Sequence, residues 1–197
     1  MSFRKEKKYR LTCLEFDNLK NQMLEHGMCR LYKKRRINSL YYDTEFLDMF
    51  YHSEEGVTPR KKVRIRWYES DISYNIEKKV SSVEGRHKTT LSLTRSNTKS
   101  LPKTLKDQLY GLLTPSLLVS YERDYYSIGG IRVTFDSSIK YQNFRHSVKS
   151  EFEDPERVME IKASKDTSDD YIENLIPYTT SRFSKYSRGL LISQGQN

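Results

Sequence analysis

Cysteine is scarce in this 197-residue chain: Cys13 and Cys29 are the only two, and they form no CxxC pair. That spacing excludes a zinc ribbon or a dithiol redox motif, and the usage fits a reducing, cytoplasmic compartment. Long apolar runs are missing as well. No stretch reaches 18 apolar residues, so no membrane-spanning helix is expected. The opening residues 1–8, MSFRKEKK, lack an apolar segment, so no secretory signal is expected either. His26, His52, His87 and His146 are scattered, with no HExxH and no regular ligand spacing. There is no GxxxxGKS/T, no GxGxxG and no GxSxG. A P-loop, a dinucleotide-binding turn and a serine-hydrolase elbow are therefore not encoded.

Mean hydropathy is −0.81 and charged residues make up 31%. Values like these lean toward disorder. Fifteen Tyr, eight Phe and Trp67 oppose it, because disordered chains are poor in aromatics. The length suits one domain over residues 1–197.

Positive charge is in excess: 35 Lys and Arg stand against 26 Asp and Glu, a net +9. Residues 1–95 hold 21 basic and 13 acidic residues, and residues 96–197 hold 14 and 13. An imbalance concentrated in the first half points to a polyanionic partner, such as nucleic acid, an anionic membrane or phosphate chains. Solubility alone is the plainer reading.

The pattern along the chain is mixed α+β, with about eight strands and four or five helices. Lys5–Leu11 reads as a strand. Thr12-Cys13-Leu14-Glu15 is a capping box, and Phe16, Leu19, Met23 and Leu24 follow at helical spacing up to Gly27. Strands are expected at Ile37–Tyr42, Lys61–Glu69, Ser73–Val80 and Arg86–Leu93, with a turn near Ser70-Asp71 and a loop over Ser96–Pro102. Asp43 or Thr44 is placed to cap a short helix bearing Phe46, Leu47 and Phe50. Pro102 is placed to open a helix bearing Leu105, Leu109 and Leu112. Leu117–Ile128, Gly129-Gly130 and Ile131–Asp136 read as a hairpin. Val158–Ala163 is a further strand. Asp169 and Asp170 begin a helix that Pro177 ends. Thr180–Arg188 reads as a last helix stopped by Gly189.

Three strands alternate charge with apolar side chains. Lys62, Arg64 and Arg66 oppose Val63, Ile65 and Trp67. Arg132, Thr134 and Asp136 oppose Ile131, Val133 and Phe135. Glu160, Lys162 and Ser164 oppose Met159, Ile161 and Ala163. Period-two geometry forces these splits. Taken singly, each is an ordinary half-exposed strand. The amphipathic helices, however, need an apolar face to cover. If they cover the apolar sheet faces and the sheet is closed, the charged faces line its interior. A dry, unpaired interior of that kind is very costly, whereas a wet one suits a polyanion. Arg meets phosphate oxygens with a planar fork. Glu160, a lone acid among cations, suits a divalent metal, which takes oxygen ligands.

Eight segments in order resemble the vacuolar transporter chaperone (VTC) domain. They are Arg4-Lys5-Glu6-Lys7-Lys8-Tyr9, Ser39-Leu40-Tyr41-Tyr42-Asp43-Thr44, Arg64-Ile65-Arg66-Trp67-Tyr68 and Glu77-Lys78-Lys79. Ser120-Tyr121-Glu122-Arg123, Ile131-Arg132-Val133-Thr134, Met159-Glu160-Ile161-Lys162 and Arg182-Phe183-Ser184-Lys185-Tyr186 complete the set. The resemblance implies a triphosphate tunnel metalloenzyme fold: a closed, eight-stranded antiparallel β-barrel with helices packed outside. It implies ATP-dependent polyphosphate synthesis with manganese or magnesium. By motif, Lys8, Arg64, Arg66, Lys79, Arg123, Arg132, Lys162 and Lys185 would bind phosphate, with Lys88 a further basic residue. Tyr121 and Ser184 would assist them, and Glu160 would hold the metal. Glu160, Lys79 and Lys185 would be catalytic.

Hydrolysis of triphosphates, with water positioned by Glu77 or Glu6, is the alternative reaction; barrel salt bridges are the alternative role for these acids. A non-enzymatic module binding single-stranded nucleic acid on Tyr41-Tyr42 and Tyr125-Tyr126 is the alternative class, and the absence of RNP and KH motifs speaks against it.

Overall fold

The structure is a computed structural model, and it describes residues 4–69, 73–94, 101–145 and 151–195. The expected turn at Ser70-Asp71 and most of the expected Ser96–Pro102 loop lie outside these residues. In chain order the elements are β1 (Arg4–Leu11), α1 (Cys13–Glu25), β2 (Cys29–Asp43), α2 (Asp48–Glu54), β3 (Arg60–Tyr68), β4 (Ser73–Ser82) and β5 (Gly85–Thr94). Then follow β6 (Leu105–Asp107), β7 (Gly111–Ile128), β8 (Ile131–Asn143), β9 (Glu151–Glu153), β10 (Arg157–Ser164), α3 (Asp169–Leu175) and α4 (Lys185–Gln194).

The α+β class holds, but the closed eight-stranded barrel does not. Among the described residues there are ten strands, in the order β1-β10-β8-β7-β2-β3-β4-β5, with β6 on β7 and β9 on β8. Among these residues β1 and β5 end the path and do not pair with each other. Alternation along a strand sets which face is apolar. It carries no instruction for pairing the first strand with one some eighty residues later. The two extra strands have three residues each, too few to show a period.

The chain clusters into two compact units. The first comprises Met1–Arg36, Tyr121–Ile139 and Glu153–Phe183; the second comprises Ile37–Ser120, Lys140–Phe152 and Ser184–Asn197.

In the first unit, β1 pairs with β10 and β10 with β8, all antiparallel. Tyr9 and Leu11, Met159 and Ile161, and Ile131, Val133 and Phe135 turn one way and join a common core. Helix α1 covers that core with Phe16, Leu19 and Met23, and the Phe16 ring meets Phe135 edge-on at 5.1 Å. Leu24, expected on the same stripe, stays 43% exposed. The capping box is present: Glu15 N donates to Thr12 Oγ1 at 3.3 Å, and Thr12 N to Glu15 Oε2 at 2.8 Å.

In the second unit, β3 lies between β2 and β4, and β5 extends β4. Leu40, Tyr42, Val63, Ile65 and Tyr74 form its core with Met49 of α2 and Leu113 of β7. Asp43 is fully buried. It accepts from Thr44 N and Met49 N through Oδ1, and from Phe50 N and the Tyr186 hydroxyl through Oδ2. Asp43 thus serves the start of α2 as expected, but the helix begins at Asp48, and Phe46 is outside it and exposed.

The helix expected after Pro102 is absent. Leu105–Asp107 is a strand, and the Asp107 carboxylate accepts from Leu109 N and from Lys61 Nζ. That carboxylate and Gly111, at φ 71°, make a turn of what reads as a helical stripe.

The last helix is also shifted. Ser181 N donates to the Lys8 carbonyl at 2.8 Å, which keeps residues near 181 extended, and the Ser184 hydroxyl caps α4. Gly189 therefore lies inside the helix. A Cβ there would sit 2.4 Å from Tyr141 Cδ1 and 2.7 Å from Leu117 Cδ2. Gly189→Ala is expected to lower stability by roughly 1–3 kcal/mol through overpacking. An open helical site would instead gain up to about 1 kcal/mol. The sign of the shift in a urea melt decides between them.

Candidate functional site

Each unit carries a strand face rich in cations with a carboxylate among them, buried in one unit and mostly buried in the other. In the second unit that carboxylate is Glu77, 4% exposed on β4. In register, β3 sets Arg64 beside Glu77 and beside Tyr41 of β2, and sets Arg66 beside Ser39. Arg64 Nε and Nη2 reach Glu77 Oε2 at 2.7 and 2.5 Å, and Arg64 Nη1 donates to the Tyr41 hydroxyl at 2.9 Å. Lys88 Nζ donates to Glu77 Oε1 at 2.5 Å. Arg66 lies 3.9 Å from Glu77 and donates from Nε to Ser39 Oγ at 3.2 Å. Lys62 donates to Ser184 Oγ at 2.9 Å, which brings the start of α4, with Lys185 as its first residue, to the end of the same row.

Burial by itself would raise the Glu77 carboxyl, but Arg64, Arg66 and Lys88 hold it down at about 2. Burial would also raise the Tyr41 phenol; Arg64, Arg66 and Lys79 bring it down to about 7 instead. Lys79 is within reach of solvent, yet partial desolvation and the charges on Arg64 and Arg66 lower its ammonium to about 8. The Tyr41 ring stacks on Tyr186 at 4.7 Å and 17°. Tyr186 in turn is tied to Asp43. These contacts fix the phenol beside the guanidinium.

In the first unit the carboxylate is Glu160 on β10, its side chain 12% exposed. Lys162 lies 3.2 Å from it and Arg123 3.9 Å. Burial raises this carboxyl, while Arg123, Lys162 and Lys8 bring it down to about 2. Arg123 is committed to Asp136 by two hydrogen bonds, Nε to Oδ1 at 2.5 Å and Nη2 to Oδ2 at 2.7 Å. Its guanidinium lies over the buried Tyr121 ring at 5.3 Å. Lys8 donates to the Phe183 carbonyl at 3.0 Å and lies 3.7 Å from Glu6, which is also 3.8 Å from Lys162. Arg132, exposed on β8, is the register partner of Lys162.

The structure thus gathers Arg64, Arg66, Lys79 and Lys88 in one unit, and Lys8, Tyr121, Arg123, Arg132, Glu160 and Lys162 in the other. Glu77 forms salt bridges. Of the tyrosines considered as stacking platforms, Tyr41, Tyr42 and Tyr126 are buried. Tyr41 and Asp136 are site residues that motif spacing did not single out. Their signal is parity: Ser39, Tyr41 and Asp43 alternate with Leu40 and Tyr42, as Asp136 does with Phe135. Among the described residues no three His, Cys, Asp or Glu come together as a metal site.

The VTC domain model matches residues 3–193. Among curated proteins none matches the chain by sequence. Solved structures resemble it in fold. A candidate adenylate cyclase from Bacillus halodurans is 14% identical, with a TM-score of 0.60 over 93% of this chain and 94% of its own. A protein from Pyrococcus horikoshii is 15% identical, with a TM-score of 0.57 over 98% and 99%. A candidate adenylyl cyclase from Hippeastrum with a dominant triphosphatase activity is 14% identical, with a TM-score of 0.54 over 99% and 97%. At these identities the likeness is one of fold.

Tyr41 yields a measurable signature. An ultraviolet titration of the folded protein is expected to show one of its fifteen tyrosines ionising near pH 7, and Tyr41→Phe to remove that step. Between about 7 and the ordinary 10.0 the unfolded chain holds the extra proton, so this phenol makes stability rise with pH across that window. Lys79 acts in the same direction between about 8 and 10.5. Tyr41→Phe is expected to make the rise shallower and to start the Lys79 contribution at lower pH, because the phenolate that supports the Lys79 ammonium is lost.

Proposed function

Because the chain belongs to the VTC domain family, we propose that it is a metal-dependent phosphotransferase acting on ATP, triphosphate or polyphosphate, with ATP-dependent polyphosphate synthesis as its reaction. The observation that carries this reading is the pair of cation-rich faces, each with a charged carboxylate among its cations. Phosphoryl transfer asks a protein chiefly for in-line positioning and neutralised oxygen charge. Arg64 and Arg123 are anchored by Glu77 and Asp136 and hold charge in place. Arg66, Arg132, Lys8, Lys79, Lys88, Lys162 and Lys185 are the groups that would meet phosphate oxygens, with Tyr121 and Ser184 as supports. In synthesis the acceptor is the end of a bound phosphate chain.

Glu160 is the residue that would hold Mn2+ or Mg2+. It is charged and mostly buried. A single carboxylate suits an ion that takes the rest of its oxygens from phosphate and water. When bound, such an ion neutralises charge on phosphate oxygens.

Hydrolysis is the second reading, favoured by the triphosphatase activity of the Hippeastrum protein. In that case Glu6 is better placed than Glu77 to orient water. Both Glu77 oxygens are taken by Arg64 and Lys88, whereas Glu6 touches Lys8 and Lys162 only at 3.7 and 3.8 Å.

Incubation with ATP and manganese, with products sized on a gel, tests the reading. A ladder supports synthesis, and free phosphate alone supports hydrolysis. No turnover, together with oligonucleotide binding, would leave only the non-enzymatic module. Glu160→Gln is expected to keep the triphosphate-induced thermal shift and to lose metal-dependent turnover. Wild-type turnover in that variant would reduce Glu160 to a salt-bridge partner.

Arg66→Ala is expected to weaken triphosphate binding by roughly 1.5–3 kcal/mol, the range for hydrogen bonds to charged groups. Arg66→Lys should recover part of that, since an ammonium restores charge without the planar fork. Thermal shifts with and without triphosphate measure both. Equal shifts in all three proteins would remove Arg66 from the site.

A further inference from the structure

The first eight residues of β2, Cys29–Arg36, form a strongly charged surface apart from the two carboxylate-centred clusters. Arg30, Lys33, Lys34, Arg35 and Arg36 are five cations in eight residues, and Cys29–Arg35 are all exposed. The ladder from β2 to β3 begins only at Ile37. Two acids of β7 answer these cations: Glu122 pairs with Lys34, and Asp124 lies 3.7 Å from Arg30 and 2.8 Å from Lys20. The stretch therefore keeps a positive excess.

Aromatic side chains on this surface are already engaged. Tyr32 meets Tyr125 edge-on at 5.8 Å, and the Arg35 guanidinium lies 5.9 Å from the Tyr32 ring centre and 6.0 Å from that of Tyr125. The two rings meet edge-on and steady a guanidinium, which breaks them up as a flat stacking platform for a base, although Tyr32 stays 56% exposed. A single-stranded nucleic acid would need such a platform; a bare phosphate chain needs only spaced cations. Eight extended residues span roughly 26 Å, far longer than a triphosphate.

We propose that Cys29–Arg36 is a second anion-binding surface, and that it holds a polyphosphate chain lengthwise. The identity of the chain rests on the function proposed above; the presence of the surface does not.

The test measures binding of inorganic polyphosphate and of inorganic triphosphate by calorimetry over a range of salt. It compares the wild type, Lys33→Ala with Arg35→Ala, and Arg35→Lys alone. The double variant, which removes two cations, is expected to lose about tenfold in affinity for the long chain and roughly 1.5 units of the log–log salt slope. Its triphosphate binding and turnover should stay at the wild-type level. Arg35→Lys should fall between the two, since the ring-held planar fork is lost and the charge kept. Unchanged long-chain affinity in the double variant, in a protein that still turns over triphosphate, overturns this inference and leaves the proposed function standing. Such a result, with new aggregation, would mark the cations as guards of an exposed strand. Tighter binding of an oligothymidylate than of polyphosphate, weakened by Tyr32→Leu, overturns it in favour of nucleic acid. Absence of turnover in the wild type, with long-chain binding still dependent on Lys33 and Arg35, leaves the surface and removes the enzymatic reading.

Discussion

Glu77 and Glu160 carry negative charge into strand faces rich in cations, and much of each face is arranged around them. Three positive side chains packed along adjacent strands repel one another, and burial removes the water that would screen them. One carboxylate among them turns repulsion into a network. Arg64 and Lys88 are bonded to Glu77 with Arg66 close by; Lys162 lies against Glu160, with Arg123 held by Asp136 at its side. Nearby cations keep both acids ionised against desolvation and, for Glu160, against the neighbouring Asp136. The Glu77 network remains net positive, whereas Asp136 and Glu6 leave the Glu160 network close to balance, with Arg132 as its further cation.

The arginines divide by what holds them. Arg64 and Arg123 each spend two nitrogens on one carboxylate, and their side chains are largely buried. Rigid guanidinium groups of this kind place charge without reorganisation when a ligand arrives. Arg132, by contrast, is exposed beside Lys162. Like charges side by side on adjacent strands repel, and Glu160 and Glu6 answer Lys162. The tyrosines follow the same logic. Tyr41 is fixed by Tyr186 and Arg64, Tyr121 lies under Arg123, and Tyr32 with Tyr125 steadies Arg35. An aromatic-rich, basic composition here reflects rings that hold cations.

Asp43 shows how one buried acid joins the helices to the sheet of its unit. Its oxygens take backbone donors at the start of α2 and the hydroxyl of Tyr186 on α4. Tyr186 then stacks on Tyr41, which receives Arg64. The packing of α4 and the orientation of a cation are thereby parts of one arrangement, and Gly189 lets the helix come close enough to Tyr141 and Leu117 to make it.

Period-two alternation was enough to place Arg64 and Arg66 on one face and Val63 and Ile65 on the other, because a strand's side chains have no third direction. The Thr12–Glu15 capping box and the Gly129-Gly130 hairpin were equally legible, since their bonds close within a few residues. The ordered motifs from Arg4 to Tyr186 sufficed for the family. Register decided the rest. Whether Arg64 meets Glu77 and Tyr41, whether Arg123 is anchored on Asp136, and whether β1 and β5 close a barrel all depend on which distant strands pair and with what offset. The same is true of the helix expected after Pro102, where Asp107 and its partner Lys61 from another strand turned an apolar spacing into a strand and a bend. Local sequence sets each strand's two faces. Only long-range pairing, stabilised by burial and by carboxylates shared between strands, decides which charges come to share a face.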